Sequence, residues 1–142
     1  LFEQARTAEP REPDPYANLG NAFLNSGQVA DADAAYRQGL ALPPSNASAE
    51  AALHVGLGMV QGSRGDAAAA AEQFRLGIAR MPDYPEAYFN LSVALGDLGK
   101  PDEARAALRQ ALRLRPDYSR ARVRLRELDT AASTSGTAPH GR

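Results

Sequence analysis

The chain contains no cysteine, which excludes disulfide bonds and thiolate metal sites and leaves the cellular compartment open. Aromatic residues make up only 6% of its 142 residues, so alanine must supply much of the packing. No run of about twenty apolar residues occurs, and the sequence therefore predicts no membrane span. The formal net charge of −1 argues against a general nucleic-acid binder, because such proteins need basic side chains to neutralise phosphates.

Against this background, four prolines at positions 10, 44, 82 and 116 each close the same pattern of residues. The intervals between them are 34, 38 and 34 residues, which is a period of 34 with one insertion of four. A large side chain stands eight residues before each proline, and these are Phe2, Tyr36, Phe74 and Leu108. A small residue stands five before each, and these are Ala5, Gly39, Gly77 and Ala111. A period in this range indicates a solenoid of stacked units.

Each unit has the pattern of two amphipathic helices joined by a turn. In the third unit, Tyr88, Leu91 and Leu95 recur at steps of three and four, as one helical face requires. Gly99 can take a positive φ where this first helix ends. Pro116 stops the second helix, whose apolar face is formed by Ala104, Leu108, Ala111 and Leu112.

Small residues recur as regularly as large ones. Gly20, Gly58 and Ser92 each fall twelve residues before a repeated alanine, namely Ala32, Ala70 and Ala104. Small side chains at both places let two antiparallel helices approach closely. The large residue four positions after each alanine is expected to fill the space beside that contact. Every repeated position is therefore a packing position.

This pattern resembles the tetratricopeptide repeat, which runs large–x–x–Leu–Gly–x–x–Tyr, then Gly, Ala, an aromatic, Ala and a final Pro. The first complete unit matches it with Tyr16, Leu19, Gly20, Phe23, Gly27, Ala32, Tyr36, Gly39 and Pro44. The second matches with His54, Leu57, Gly58, Gln61, Gly65, Ala70, Phe74, Gly77 and Pro82, and the third with Tyr88, Leu91, Ser92, Leu95, Gly99, Ala104, Leu108, Ala111 and Pro116. The resemblance covers residues 1–129. It implies an all-α, right-handed superhelical solenoid of antiparallel helix pairs.

The register predicts how the chain is divided. Residues 1–12 match the second helix of a truncated preceding repeat, 13–47, 48–84 and 85–118 are three repeats, 119–129 a C-terminal capping helix, and 130–142 a disordered tail. The insertion at 45–48 is about one helical turn, so we expect it to lengthen the next helix. Because the chain begins with Leu, we expect a fragment of a longer array with further repeats before it.

Charge is unevenly distributed along the chain. Residues 1–50 carry a net charge of −4, and residues 101–130 a net charge of +3. One interpretation is ordinary solvated helix surface. The other is a basic end that prefers an acidic partner segment.

In the tetratricopeptide family, the first helices of successive repeats line a concave face where peptides bind. The resemblance implies that this groove is lined by Asn18, Asn21, Asn25, Val55, Met59, Phe89, Asn90, Val93, Asp97, Arg120 and Arg124, with Gly56, Ser63 and Val123 beside them. We expect Met59, Phe89 and Val93 to supply apolar anchoring while the polar side chains hold the partner's backbone. Replacing both Phe89 and Asn90 with alanine is then expected to weaken binding without loss of helicity.

Two features of the groove suggest specific binding modes. Asn18 and Asn90 each stand one residue before a repeated Leu, where an amide can both donate to and accept from a peptide backbone. This is similar to the asparagine ladder of O-linked N-acetylglucosamine transferases, although Gly56 interrupts it. The alternative is that these exposed asparagines bind only water.

The second feature is the pair Arg120 and Arg124, which are four residues apart and can reach one anionic group together. With Asn90 they match the later part of the carboxylate clamp in chaperone-binding repeats. The earlier part of that clamp is missing, because Ala52 and Gly56 stand where the resemblance requires a lysine and an asparagine.

Catalytic chemistry has little support in the sequence. A Ser–His–acid set would depend on His54, which lies on the packing face of a predicted helix, and no motif surrounds a candidate serine. The glycines form no phosphate-binding loop. We therefore predict a protein that is not an enzyme, with no catalytic residue, metal or cofactor.

The predicted function is a scaffold that binds a protein or peptide partner, with no nucleic-acid or membrane partner. Two alternatives stay open: a substrate-recruiting region of a larger enzyme, such as a glycosyltransferase or sulfotransferase, and self-association through the uncovered N-terminal edge at residues 1–9. The composition, with fifteen arginines and one lysine, is typical of bacteria with GC-rich genomes. Among compartments, the cytoplasm is favoured.

Overall fold

A computed structural model describes residues 14–43 and 46–136, without the side chains of 135 and 136. Within these ranges the chain forms seven α-helices and no strand, as the repeat pattern predicts. They are α1 (Pro15–Asn25), α2 (Val29–Ala41), α3 (Ala47–Ser63), α4 (Ala67–Arg80), α5 (Pro85–Asp97), α6 (Pro101–Leu114) and α7 (Ser119–Gly136). The helix predicted for residues 1–12 lies outside the described residues, and so does the end of the predicted tail at 137–142.

The helices belong to two compact units, divided after Pro82. In the first unit, α2 packs against α1 and α3, α3 packs against α4, and the first helices α1 and α3 also touch. In the second unit, α6 packs against α5 and α7. Each helix therefore contacts the helices near it in the chain, as expected for repeats that bury their apolar faces on their neighbours.

Glycine makes each turn inside a helix pair. Gly27, Gly65 and Gly99 follow α1, α3 and α5 with φ angles of 78°, 81° and 74°. A side chain at such an angle clashes with its own backbone, which is why glycine recurs at this position. The predicted turn positions are confirmed in all three repeats.

Side-chain caps begin three of the helices. The Asp14 carboxylate accepts hydrogen bonds from the backbone N–H groups of Tyr16 and Ala17 at 2.9 and 3.0 Å. Asn46 and Asp66 cap α3 and α4 in the same way. These acceptors satisfy backbone donors that have no partner within the helix, and each is typically worth about 1 kcal/mol.

The four-residue insertion lengthens α3. This helix has 17 residues, against 11 in α1 and 13 in α5, the other first helices of the repeats. Asn46 is its N-cap, and Ala47 and Ser48 form the start of its first turn. The expectation that the insertion extends a helix is confirmed for these residues.

The last helix is longer than predicted. α7 continues to Gly136, so residues 130–136, which the sequence predicts as a disordered tail, are helical. Alanines at 131 and 132 favour a helix, and no proline interrupts the chain between 119 and 136. The Thr134 hydroxyl donates to the Thr130 carbonyl at 2.9 Å, one turn earlier. Serine and threonine content alone therefore does not end this helix.

The core of the first unit is built around Tyr36, whose side chain is fully buried. Its ring lies so close to Gly20 of α1 that a Cβ atom there would overlap it, and Phe74 lies against Gly58 in the same way. The predicted close approach of the paired helices is thus confirmed. The buried residues around Tyr36 are Ala17, Ala32, Leu53, Leu57 and Val60.

The core of the second unit joins α5, α6 and the start of α7. It contains Phe89, Leu108, Ala111, Tyr118 and Ala121. Ser92 is fully buried between the helices, and its hydroxyl donates to the Phe89 carbonyl at 2.6 Å, so its polar group is satisfied without widening the contact.

Candidate functional site

Three asparagines form an exposed row on α1. Asn18, Asn21 and Asn25 are spaced by three and four residues, which places them on one face of the helix, and all three are exposed. Asn21 is held in place because its Oδ1 accepts a hydrogen bond from the Tyr36 hydroxyl at 2.5 Å. Met59 of the adjacent α3 is 41% exposed. We call Asn18, Asn21, Asn25 and Met59 the asparagine face.

The gap in the predicted asparagine ladder has a packing origin. Gly56 of α3 is buried, and a Cβ atom on it would overlap the Tyr36 ring. No side chain fits at this position, so the middle repeat contributes backbone only. Asn18 is exposed and Asn90, at the equivalent position of the third repeat, is partly buried.

The structure corrects the placement of Val55. This side chain is only 4% exposed, and its Cγ2 atom would lie 2.9 Å from a Cβ atom placed on Gly77 of α4. Val55 therefore packs between the two helices of its own repeat. It is not a groove residue, because a residue that contacts a partner must be accessible.

The predicted placement of Phe89 as an exposed groove residue is also wrong, because its side chain is only 6% exposed. Its ring packs against Tyr118 with a centroid separation of 5.5 Å and a tilt of 39°, and the Arg120 guanidinium lies 4.6 Å from the Phe89 ring centroid. Aromatic and cation–π contacts of this kind are each worth about 0.5–1.5 kcal/mol. Phe89 is thus a core residue and not an exposed anchor.

Beside Phe89 is a shallow cavity of 330 Å³ between α5 and α7. We call it the Phe89 cavity, and its lining residues are Phe89, Ser119, Arg120, Val123, Arg124 and Glu127. Val123 is 49% exposed and supplies apolar surface, while the two arginines supply positive charge. The predicted pair Arg120 and Arg124 therefore meets at one site.

The arginines of the Phe89 cavity have few polar partners. Arg124 places its Nη2 atom 2.7 Å from where a Cβ atom on Gly96 would stand, so the glycine makes room for it. Among the described residues, Arg124 Nε is the one buried side-chain nitrogen or oxygen without a hydrogen-bond partner. Within the same ranges, Arg120 forms no ion pair. Both guanidinium groups therefore retain unused donors.

Contacts of Arg115 with Glu86 and Tyr118 hold the segment that precedes α7. Arg115 Nη2 donates to Glu86 Oε2 at 2.5 Å, which raises the pKa of Arg115, and its guanidinium lies 4.7 Å from the Tyr118 ring centroid. Burial raises the pKa of the Tyr118 phenol, and the Glu86 carboxylate adds to this effect, while Arg120 and Arg115 oppose it. Burial also raises the pKa of Tyr84, and the negative charge of Glu86 adds to this effect.

The other predicted groove residues of the second unit lie on α5. Val93 is 36% exposed, Asp97 is exposed, and Asn90 is partly buried. Val93 follows Phe89 by four residues and so lies beside it on the helix surface. Val93 is therefore the exposed apolar side chain of α5, the helix that also borders the Phe89 cavity.

Tyr118 is the residue that the sequence argument missed. Its ring packs against Phe89, which lines the cavity, and the Arg115 guanidinium lies over it at 4.7 Å from the ring centroid. The signal is present in the sequence, because Pro-Asp-Tyr occurs at 82–84 and again at 116–118, one period apart. Ser119 and Glu127 were also not expected in the site.

The described part of the chain contains neither a helix that could span a membrane nor a cluster of metal-ligating side chains. No helix there combines the length and apolar character needed to cross a bilayer. The same residues contain no cluster of three or more histidine, cysteine, aspartate or glutamate side chains that could hold a metal ion.

Comparison with protein families gives one consistent result. Two family models, both described as tetratricopeptide repeat, match residues 17–85 and 85–118. Together these matches span more than half of the chain. No curated protein matches the sequence.

Solved structures share the fold. The first tetratricopeptide domain of Spaghetti (RPAP3), bound to the HSP90 peptide SRMEEVD, is 24% identical, with 83% of this chain and 90% of that chain covered and a TM-score of 0.75. The second such domain of human RPAP3, in complex with the HSP70 peptide SGPTIEEVD, is 24% identical, with 80% and 92% covered and a TM-score of 0.71. These matches confirm the predicted fold class, an all-α helical-repeat solenoid.

A third similar structure is part of an enzyme. A mutant O-GlcNAc transferase from Thermobaculum terrenum is 27% identical over 80% of this chain, with a TM-score of 0.73. The match covers 21% of that enzyme chain. The part of this chain that matches therefore spans about a fifth of the transferase.

Proposed function

Because the chain belongs to the tetratricopeptide repeat family, we propose that it is a non-catalytic scaffold that binds an extended peptide segment of a partner protein. The observation that carries this proposal is the asparagine face. It presents amide groups on a helix that is fixed by buried packing, with an exposed apolar side chain on the neighbouring first helix. An extended peptide offers the backbone donors and acceptors that such amides can pair with.

The positions of Asn18 and Asn25 favour backbone binding. Neither side chain is hydrogen-bonded to another described residue, so their donors and acceptors face solvent and are available. Asn21 lies between them and is held by Tyr36, which lowers the conformational entropy that this residue loses when a ligand binds. Met59 adds a flexible apolar group that can adapt to different side chains.

Two of the similar domains support the same kind of ligand. Both RPAP3 structures contain short peptides of HSP90 or HSP70. Their identity to this chain is low, so they support a class of ligand and not a particular partner.

The test is a peptide selection followed by titration. A synthetic peptide library is passed over the immobilised chain, and the best binder is titrated against the wild type and against Asn18→Ala with Asn25→Ala. Loss of two backbone-binding amides is expected to weaken binding about tenfold, or ~1.4 kcal/mol. Circular dichroism checks that the helices are intact.

The matched control is Gln38→Ala, which removes an exposed amide from the second helix α2. It should bind the peptide as the wild type does. If the library yields no binder, or if the asparagine variant binds unchanged, the proposal is wrong.

A further inference from the structure

The first unit contains a cavity of 250 Å³ where three helix ends meet. Its walls are the start of α1, the end of α2 and the lengthened start of α3, and we call it the Asp14 cavity. The lining includes two carboxylates and several apolar side chains, namely Asp14, Glu50, Tyr16, Leu40, Leu42 and Leu53. The volume is below the roughly 300–1,000 Å³ of small-molecule sites, so it suits a single side chain of a partner.

The second unit shows which side chains fill the equivalent place. Glu86 stands 72 residues after Asp14, which is two periods and the insertion. Arg115 stands the same distance after Pro43, another residue of the cavity wall. Arg115 donates to the Glu86 carboxylate at 2.5 Å, and its guanidinium lies over the Tyr118 ring. The first unit therefore keeps the acid of this pair and has a proline in place of its arginine.

The tyrosine of that cluster is replaced as well. Glu50 corresponds to Tyr84 and Tyr118, which follow it by one and two periods, and its side chain is smaller than theirs. Glu50 thus leaves space in the cavity and adds a second carboxylate. Its Oε2 accepts a hydrogen bond from Arg80 at 2.9 Å, so Asp14, Glu50 and Arg80 together carry a formal charge of −1. One positive group of a ligand balances this charge.

The Asp14 carboxylate retains an oxygen for a ligand. Its Oδ1 caps α1 by accepting from the N–H groups of Tyr16 and Ala17, and within residues 14–43 and 46–136 no hydrogen bond reaches its Oδ2. The helix dipole at this end does not prevent a contact with a cation. Glu86 also lies in the first turn of its helix, and it pairs with Arg115 all the same.

We infer that the Asp14 cavity binds the arginine side chain of a partner segment. A guanidinium presents its donors in one plane and suits a carboxylate acceptor. The aliphatic stem of the arginine lies against Leu42, which is 50% exposed, and Tyr16 offers an aromatic surface of the kind on which guanidinium groups stack. The inference does not depend on the asparagine face, which lies farther along α1 and on α3.

The experiment selects binders of the immobilised chain from a library of acetylated and amidated peptides that all have a central arginine. The best binder is then titrated in three forms, with arginine, citrulline or lysine at the central place. Citrulline keeps the shape of arginine and loses its charge, whereas lysine keeps the charge and loses the planar fork. The proteins compared are the wild type, Asp14→Asn and the control Asp66→Asn.

The two substitutions are closely matched. Asp66 caps α4 as Asp14 caps α1, and asparagine is an equally good N-cap, so each variant keeps its cap and loses one negative charge. Asp66 is exposed and does not line the Asp14 cavity. Thermal unfolding followed by circular dichroism verifies that each variant is folded.

We expect the wild type to bind the arginine form about tenfold more tightly than the citrulline form, and about threefold more tightly than the lysine form. Asp14→Asn should bind the arginine form about tenfold more weakly, and on this variant the arginine and citrulline forms should differ by less than about threefold. Asp66→Asn should behave as the wild type does. Asn18→Ala with Asn25→Ala should keep the full preference for arginine over citrulline.

Several results would overturn the inference. A library without a binder, equal binding of the arginine and citrulline forms, or an Asp14→Asn variant with the full arginine preference would each exclude a guanidinium site in the cavity. Tighter binding of the arginine form by Arg6→Gln plus Arg11→Gln would assign the cavity to the chain's own arginines. Concentration-dependent light scattering that Asp14→Asn abolishes would assign it to a second copy.

The proposed function is tested apart from this inference. Its peptides are selected without a fixed arginine, and its variants change the asparagine face and leave Asp14 in place. Failure at the Asp14 cavity therefore leaves the asparagine face standing as a binding site, and loss of peptide binding at that face leaves the preference for arginine at the cavity unchanged.

Discussion

The ring of Tyr36 on α2 lies against the backbone of Gly56 on α3, where it fills the space that a Cβ atom at position 56 would need. The same ring lies against Gly20 of α1, and its hydroxyl binds Asn21. One side chain of a second helix thus joins the first helices of two successive repeats. It also explains why the middle repeat has no asparagine where Asn18 and Asn90 occur.

The Tyr36–Gly56 contact predicts that Gly56→Ala destabilises the protein. The added methyl group must displace a fully buried ring, and overpacking of this kind typically costs about 1–3 kcal/mol. The free energy of unfolding is measured by urea titration. The matched control is Gly62→Ala on the same helix, where nothing lies within 4 Å of the new methyl group.

Gly62→Ala is expected to stabilise the protein by up to about 1 kcal/mol, because alanine has the higher helix propensity. Equal effects of the two substitutions would show that the Tyr36 ring does not restrict position 56.

Burial of Phe89 changes the expectation for Phe89→Ala. Deleting a buried ring leaves a cavity and removes the contacts with Tyr118 and Arg120, so the loss of stability should be about 3–5 kcal/mol. Thermal or urea unfolding measures this loss. Val93→Ala, on the same helix but 36% exposed, serves as the control and should change stability by less than about 0.5 kcal/mol. A Phe89→Ala protein as stable as the wild type would contradict the core assignment.

Replacing a turn glycine is expected to lower the stability of the protein through the backbone angle and not through packing. Gly99 has a φ of 74°, and nothing lies within 4 Å of an added Cβ atom, so any loss arises from the backbone angle. Gly99→Ala should cost about 1 kcal/mol or more, and Gly99→Asn less, because asparagine tolerates this conformation better. Unfolding midpoints of the two variants test the order. Equal stability of both variants and the wild type would contradict the assigned φ angle.

The raised pKa values of Tyr84 and Tyr118 predict a loss of stability in alkali. Burial, followed by Glu86, raises both values above the ordinary 10.0, so the folded chain holds these phenol protons more tightly than the unfolded chain does. Their contribution is therefore complete below about pH 10 and is lost as the pH rises through the raised values. The measurement is the unfolding free energy as a function of pH for the wild type and for Tyr84→Phe with Tyr118→Phe.

The phenylalanine variant should lose less stability than the wild type between neutral and strongly alkaline pH. An equally steep loss in both proteins would show that these two phenols are not the groups responsible.

The sequence predicts helix pairs and turns well because each depends on residues close together in the chain. Gly27, Gly65 and Gly99 mark the turns, and the small residues opposite large ones mark the helix contacts. These features require only the period and the local preferences of glycine and proline.

Exposure within the first helices is harder to predict, and the errors at Val55 and Phe89 have one cause. These residues share a repeat position with Ala17, and all three are buried, at 4%, 6% and 5% exposure. The common apolar character of this position is the signal that distinguishes it from the exposed position of Asn21, Met59 and Val93. Helical spacing alone does not distinguish these two positions, because residues four apart lie one turn apart on the same side of a helix.

The Phe89 cavity depends on contacts that no period encodes. Stacking of Arg120 on Phe89 and the fit of Arg124 beside Gly96 require the actual distance between α5 and α7. The sequence indicates that both arginines can reach one anion. It does not indicate that one guanidinium nitrogen is left without an acceptor.

The most direct test of the scaffold is nuclear magnetic resonance mapping of the peptide selected by the chain. Backbone and side-chain amide signals of the labelled protein are followed during titration. The proposed function predicts saturable shifts at the asparagine face on α1 and α3. Shifts confined to the second helices α2, α4 and α6, or no saturable shift for any selected peptide, would contradict it.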